Sequence, residues 1–543
     1  MAAKRRPRLF DFNQERSEIV KDAAHRVIAA KTQQASKPGQ PGLEYVLNEA
    51  CFHEIDRLVK FGSDTKQGEV GSLGFWRKLA ARAGSAGEGE KEHILNDLVF
   101  SYMTDLAGNF DPRVYQFANH VLPVGLSLLF NAQGSGKTGS GRYRKLRERV
   151  RIDGDLDTLR SLANKGTFIV APTHVSNMDS IVVGWALHEA GLPPVTYGAG
   201  KNLFGNPLLS YFMQNLGAYK VDRRIRHNLY KECLKSYSEV LLERGFHSLF
   251  FPGGTRSRSG EVEEHLKLGL LGTGLTAYLN NCRNGRPDDR IFIVPVTINF
   301  GLCLEAEGLI GDHLRQVGRE YYILPDDPFD SPTEVLRFLT RVAAMETSVV
   351  LRFGQPLDII GNVVDADGQA YDSHGRRVET SEYFEVASGH IMPSGGRDRE
   401  YTRQAGLALE RAFVTNTVVM PAAFLSHLLM RAARRAFPDL DIARVVRFAH
   451  ELHVPWDEIN ADAVVLQQLL VKLAANGGIQ LLEPVARASV PELIEIALRD
   501  LAMYHAPAAA VPTGQGIRLQ NMNVLCYYGN RLNCLNLDRL EAA

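Results

Sequence analysis

Between Ile152 and Ile298 short β-rich runs alternate with helical stretches, and polar or basic loops follow several of the runs. The runs are Thr167–Ala171, Val195–Gly198, Ala218–Val221, Ser248–Phe251 and Ile291–Ile298. Asp179–Ala190, Asn228–Arg244 and Leu266–Asn280 lie between them with helical spacing. In the second, Leu229, Cys233, Tyr237, Val240 and Leu241 share one face. Such alternation predicts an α/β layer: a central mixed sheet flanked by helices. Ligands of such sheets sit outside the strand ends, so the loops there are the first place to look for chemistry.

The flanks differ in texture. Residues 1–150 read as a helical N-terminal region, with helix-spaced apolar residues over Leu43–Lys60 and Ile94–Leu106. A Gly/Ser-rich break spans Ala83–Gly89, and a second spans Gly134–Gly141. The basic stretch Arg142–Arg151 follows, with six cations and one acid. It suits a solvated helix face, or a contact for acidic head groups at about 1 kcal/mol per cation. The α/β unit is expected over 151–360. Residues 361–543 are expected to be a mostly helical C-terminal region, opened by a turn-rich hairpin over Val364–Gly375.

Composition narrows the partners. Among 543 residues, 62 Lys and Arg balance 62 Asp and Glu. A nucleic-acid binder usually carries a basic excess, so no nucleic-acid partner is expected. Six dispersed cysteines include no Cys-x-x-Cys pair and read as reduced thiols. The charged N-terminus has no apolar run of signal-peptide type behind it. Val121–Phe130 and Val418–Met430 fall short of the roughly 20 residues that span a bilayer. The expectation is a protein that is soluble or lies on a membrane surface.

Three motif-like stretches depart from the patterns they resemble. Asn131–Thr138 resembles a phosphate loop, but Asn131 stands where that loop needs Gly; this leaves a P-loop ATPase as a minor alternative. Asp365 and Asp367 suggest a calcium loop, but Gly368 comes two residues too early. His450 and His453 lack the i, i+4 spacing of a helical zinc pair and read as a partly exposed helical pair. No metal and no cofactor are expected.

A sharper constellation runs through the α/β unit. His174-Val-Ser-Asn-Met-Asp179 follows an apolar strand, so the histidine sits where strand gives way to helix. Asp179 can fold back onto one ring nitrogen, fix the tautomer and leave the other nitrogen as a base. The plain alternative is a polar helix cap, with Ser176 or Asn177 capping and Asp179 favouring the helix dipole. Gly217–Arg224 ends a β-like run with two adjacent guanidiniums. Phe251–Gly260 brings glycines, hydroxyls, Arg256 and Arg258 to one loop, a composition suited to phosphate. Ile293–Ile298 is an apolar strand with a central proline, expected at a sheet edge and as the wall of a lipid tunnel.

These four segments resemble the four ordered blocks of the glycerolipid acyltransferases. The long third block, which runs on to Lys267-Leu-Gly269, is similar to that of the bacterial-type glycerol-3-phosphate acyltransferases. So are Asn416–Pro421 and Tyr527–Leu532. The resemblance implies that His174 is the general base for the sn-1 hydroxyl of glycerol 3-phosphate and that Asp179 orients it. It implies an acyl thioester donor, on coenzyme A or acyl carrier protein, and no covalent acyl-enzyme. Arg223 and Arg256 would bind the substrate phosphate. Gly254, Thr255 and Ser257 would flank it, and Pro295 would lie near the acyl chain. It further implies peripheral attachment to the cytoplasmic face of the cell membrane. The alternatives are acylation of dihydroxyacetone phosphate or lysophosphatidate, or a non-catalytic lipid-binding relative. Where the family usually has Glu, just before Gly254, this chain has Gly253.

Overall fold

The structure, a computed structural model, describes residues 8–62, 71–119, 150–176, 179–201, 204, 207–286, 289–303, 305–317, 349–386, 390–504 and 507–537. The loop Asn131–Thr138 lies outside the described residues, as does the basic stretch Arg142–Arg151 apart from its last two positions.

The centre is a seven-stranded mixed sheet. Its strands are β1 (Val150–Asp153), β2 (Gly166–Pro172), β3 (Thr196–Gly200), β4 (Ala218–Val221), β5 (Ser248–Leu249), β6 (Arg290–Phe300) and β7 (Val349–Phe353). They stand in the order β1-β7-β6-β2-β5-β3-β4. The run from β6 to β4 is parallel, and β7 pairs antiparallel with β6. β2 is apolar along almost its whole length and buried on both faces, as a central parallel strand must be. Phe168 and Val170 face the helix Asp179–Glu189, while Ile169 and Ala171 face the helix Leu268–Arg283.

This division of faces creates the crevice. β2 and β5 are neighbours, but the chain leaves β2 for one face and β5 for the other. The loops after them must part, and such a switch point is where doubly wound sheets take their ligands.

Proline 295 corrects the expectation of an edge. β6 is an interior strand, with β2 on one side and β7 on the other. Its antiparallel ladder with β7 stops at Val296–Phe353, and the chain returns at an isolated bridge between Ile293 and Leu357. Pro295 falls in the gap, where its carbonyl accepts from Gly354 N–H and no donor is needed from its nitrogen.

The flanking regions are helical, as expected. Phe12–Ala35, Leu43–Phe61, Leu73–Ser85 and Glu88–Leu106 share an apolar core with the helix Asn228–Glu243. Arg26 grips Glu243 of that helix through two hydrogen bonds of 2.7 and 2.8 Å. Beyond β7, Val363–Val364, Ala370–Tyr371 and Arg377–Val378 form two successive hairpins rather than one. Asp365 and Asp372 each accept backbone N–H groups two and four residues on, so these carboxylates build turns. His450 and His453 are exposed but not helical. His450 sits in a turn, and His453 is on a strand bonded to Thr513. The small antiparallel sheet of His453–Pro455, Ala510–Thr513 and Gly516–Leu519 was not legible in the largely helical pattern.

The C-terminal region returns to the central sheet. Asn416 accepts from Arg352 of β7 at 3.1 Å. Tyr528 Oη accepts from Cys303 N–H at 2.7 Å, and Asn530 donates to the Ser259 carbonyl at 2.9 Å. Gly260 has φ +83° and lies so close to the Tyr527 carbonyl that no Cβ fits. Gly260→Ala is therefore expected to lower the unfolding midpoint. Left-handed backbone costs an L residue about 1–2 kcal/mol, and overpacking adds a further ~1–3 kcal/mol. Scanning calorimetry reads the effect, and an unchanged midpoint would refute this docking.

Candidate active site

The apolar strand β2 ends at Pro172, and Thr173 ties the exit to β6. Thr173 N–H donates to Val296 O at 2.9 Å, and its Oγ1 accepts from Ile298 N–H at 3.0 Å. His174 follows at the mouth of the crevice with 15 % of its side chain exposed. Its Nδ1 lies 2.8 Å from Asp179 Oδ2. The same oxygen accepts the backbone N–H of Val175 at 2.6 Å and of Ser176 at 2.9 Å. Asp179 is fully buried and opens the helix Asp179–Glu189, whose dipole favours a negative charge there. A carboxylate accepts only, so Nδ1 is the donor in this contact and Nε2 is left to face the crevice. The imidazole stacks on Phe251 at 4.1 Å between centroids, which fixes the ring plane.

The loop after β5 closes over this turn. Ser257 N–H donates to the His174 carbonyl at 2.7 Å. Gly254, at φ +75°, makes a tight turn back to Phe251. The side chain of Lys267 lies across it, with Nζ 2.7 Å from where a Cβ would be. Arg256 reaches over to Glu305 at 3.6 Å, and Glu305 also accepts from Ser176 Oγ at 3.1 and 3.2 Å. Arg256 therefore stands beside the His174 turn. Thr255 is exposed at the tip of the same loop, and Ser257 Oγ donates to Glu261 O. Pro295 lies on the neighbouring strand, in register with Ala171.

Arg223 is the outlying residue. It is exposed in the turn after β4, three strands from β2. At about 4.8 Å per strand the backbones are some 14 Å apart, so Arg223 does not adjoin the His174 turn as Arg256 does. Its loop is braced twice: Tyr102 Oη of the N-terminal region meets His227 Nε2 at 3.1 Å, and Tyr230 Oη of the following helix accepts from Asp222 N–H at 2.8 Å. Burial holds the His227 imidazole down at about 4, so it stays neutral and keeps its place as the cap of the following helix.

Three site residues escaped the sequence reading. Glu305 pairs with Arg256 from the far end of β6. Arg531 comes from the C-terminal region, donates to Ile298 O and Asn299 Oδ1, and puts a partly buried cation near Asp179 and Glu263. Glu263 accepts the N–H of His174 at 2.6 Å. Burial, reinforced by the nearby Asp179 charge, pushes its carboxyl up to about 7, against the pull of the His174 N–H, Arg531 and the Gly253 N–H. Only their proximity to motif loops could have flagged Glu263 and Glu305.

The fold thus brings the His174–Asp179 pair, Arg256 and Lys267 together at the switch-point crevice. Residues 154–299 match the Acyltransferase family by sequence. Among curated proteins, a glycerol-3-phosphate acyltransferase of Pseudomonas paraeruginosa is 28% identical over 244 residues, covering 44% of this chain and 26% of the relative. One of Pseudomonas fluorescens is 23% identical over 305 residues, covering 56% of this chain and 33% of the relative. The chain thus spans about a quarter to a third of the relatives it matches.

Glu263 gives a signed pH dependence. Its carboxyl titrates near 4.5 in the open chain and near 7 when folded, so the folded protein holds the proton more tightly. This contribution is fully present below about pH 4 and is lost as pH rises through 7. Glu263→Gln keeps the shape without the titration. Relative to wild type it is expected to gain up to about 3 kcal/mol between pH 4 and pH 8. Urea unfolding at both pH values measures the gain; an equal difference at both would refute the assignment.

Proposed function

We propose that the protein transfers a fatty acyl group from an acyl-CoA or acyl carrier protein thioester to the sn-1 hydroxyl of glycerol 3-phosphate. The observation that carries this reading is the His174–Asp179 contact at the strand end, beside the loop that bears Arg256 and Lys267. His174 Nε2 takes the hydroxyl proton as the oxygen attacks the thioester carbonyl. The C–S bond breaks, and the imidazolium returns the proton to the departing thiolate. Lysophosphatidate and a free thiol leave. Arg256, Lys267 and Arg223 hold the phosphate, Gly254, Thr255 and Ser257 shape the loop around it, and Pro295 lies on the acyl-chain side. In this reading 151–360 is the catalytic unit, 1–150 braces the Arg223 loop, and 361–543 braces the glycine loop.

Labelled glycerol 3-phosphate and palmitoyl-CoA, incubated with purified protein and scored for lysophosphatidate, test the activity. Faster acylation of dihydroxyacetone phosphate or lysophosphatidate would reassign the acceptor. His174→Ala is expected to lose about 10²–10⁴-fold in rate. Arg256→Ala is expected to raise the KM for glycerol 3-phosphate by one to two decades, since a charge-assisted contact is worth about 1.5–3 kcal/mol. The KM for the thioester should stay put. An equal loss toward both substrates would assign Arg256 to structure.

No helix among the described residues is long and apolar enough to cross a membrane. Peripheral attachment to the cytoplasmic face of the membrane, through the basic stretch Arg142–Arg151, is part of the same proposal. Flotation with anionic vesicles is expected at low salt and lost at high salt, because screening weakens such contacts. Flotation unaffected by salt would refute the electrostatic attachment.

A further inference from the structure

Gly253 and Gly254 are neighbours that are glycine for different reasons. Gly254 needs φ +75°, a conformation that L side chains rarely adopt. Gly253 is not in the positive-φ region, so its backbone would accept a side chain. What it lacks is space. A Cβ on Gly253 would stand 2.6 Å from Glu263 Cδ, and 2.5 and 3.0 Å from its two carboxyl oxygens. Two carbon–carbon bonds of about 1.5 Å at about 111° span roughly 2.5 Å. The Glu263 carboxyl carbon therefore stands about as far from that Cβ as the carboxyl carbon of a glutamate at 253 would, and it occupies space that a side chain there would need.

We propose that Glu263 is a positioning residue that locks the His174 turn onto the glycine loop, filling from ten residues downstream the volume that Gly253 leaves open. Both polar groups of the His174 backbone are held by this one loop. Glu263 Oε1 accepts the N–H, and Ser257 N–H donates to the carbonyl. Glu263 Oε2 is shut off from water and has no hydrogen-bond partner among the described residues. A buried carboxyl so placed is expensive unless it is compensated, and the Arg531 guanidinium supplies opposite charge nearby. The carboxyl is thus built in, although a glutamate at 253 is missing from the sequence. Only the kinetic arm of the test below rests on the proposed acyl transfer.

The test moves the carboxyl. Gly253→Glu, Glu263→Ala and the double variant are compared with wild type. Gly253→Glu is expected to destabilise the protein while Glu263 is present, because the new side chain then meets the Glu263 carboxyl from its Cβ onward. With Glu263→Ala it should instead be neutral or stabilising. The double-mutant cycle should be non-additive by at least tenfold in the unfolding equilibrium. In protein carrying ¹⁵N-histidine, the His174 Nδ1–H resonance should shift in Glu263→Ala and return in the double variant. A purely volume-filling role would leave that resonance in place. kcat should recover at least tenfold from Glu263→Ala to the double variant, with KM little changed. Additive stabilities, or a resonance that does not return, would overturn the proposal. If Glu263→Ala does not fold, folding of the double variant supports the proposal and its failure to fold overturns it. If wild type transfers no acyl group, the proposed function fails, while the stability cycle and the resonance still decide on Glu263.

Discussion

One oxygen organises the site. Asp179 Oδ2 gathers the His174 ring and the N–H groups of Val175 and Ser176 at the point where β2 becomes a helix. The sequence offered two readings of this aspartate, a helix-start residue and an orienter of the histidine. The structure unites them, because the atom that satisfies the turn's backbone also holds the ring. Full burial makes the arrangement stiff, since a buried acceptor that loses its donors pays the desolvation cost of a charge. The position of the His174 ring is therefore tied to the folding of the turn itself.

Around that turn, remote parts of the chain act as walls. The glycine loop holds the His174 backbone from above, and Glu305 spans Ser176 and Arg256 from the end of β6. Residues 527–531 hold both of these in turn. The N-terminal helices perform a similar service on the opposite flank, where Tyr102 and His227 steady the start of the helix behind Arg223. The segment of family resemblance, 154–299, contains His174, Asp179 and the glycine loop, but Glu305 and Arg531 lie beyond it.

The sheet and the His174–Asp179 pair were legible because their signals are local. A both-faces-buried strand such as β2 must be apolar almost throughout, and its polar exit loop then marks the mouth of a crevice. Glu263, Glu305 and Arg531 were not legible because their partners are set by tertiary approach across 89, 129 and more than 200 residues. Periodicity reports which side of an element is buried; it does not report which loop closes over which. Pro295 misled for a related reason. Proline marks a strand position without a donor, and an interior gap in a ladder meets that need as well as an edge does.

The clasp between Asn530 and Ser259 joins residues 271 apart. All seven strands of the sheet lie before Gly354, so the sheet can form on a ribosome-bound chain before the clasp has been synthesised. Until residues 527–531 arrive, Cys303 N–H and the Ser259 carbonyl face water, and Glu263 lacks the nearby Arg531 cation. The crevice is then one wall short. The sheet thus precedes in the chain the residues that close the candidate site, and a chain halted between them would hold the first without the second.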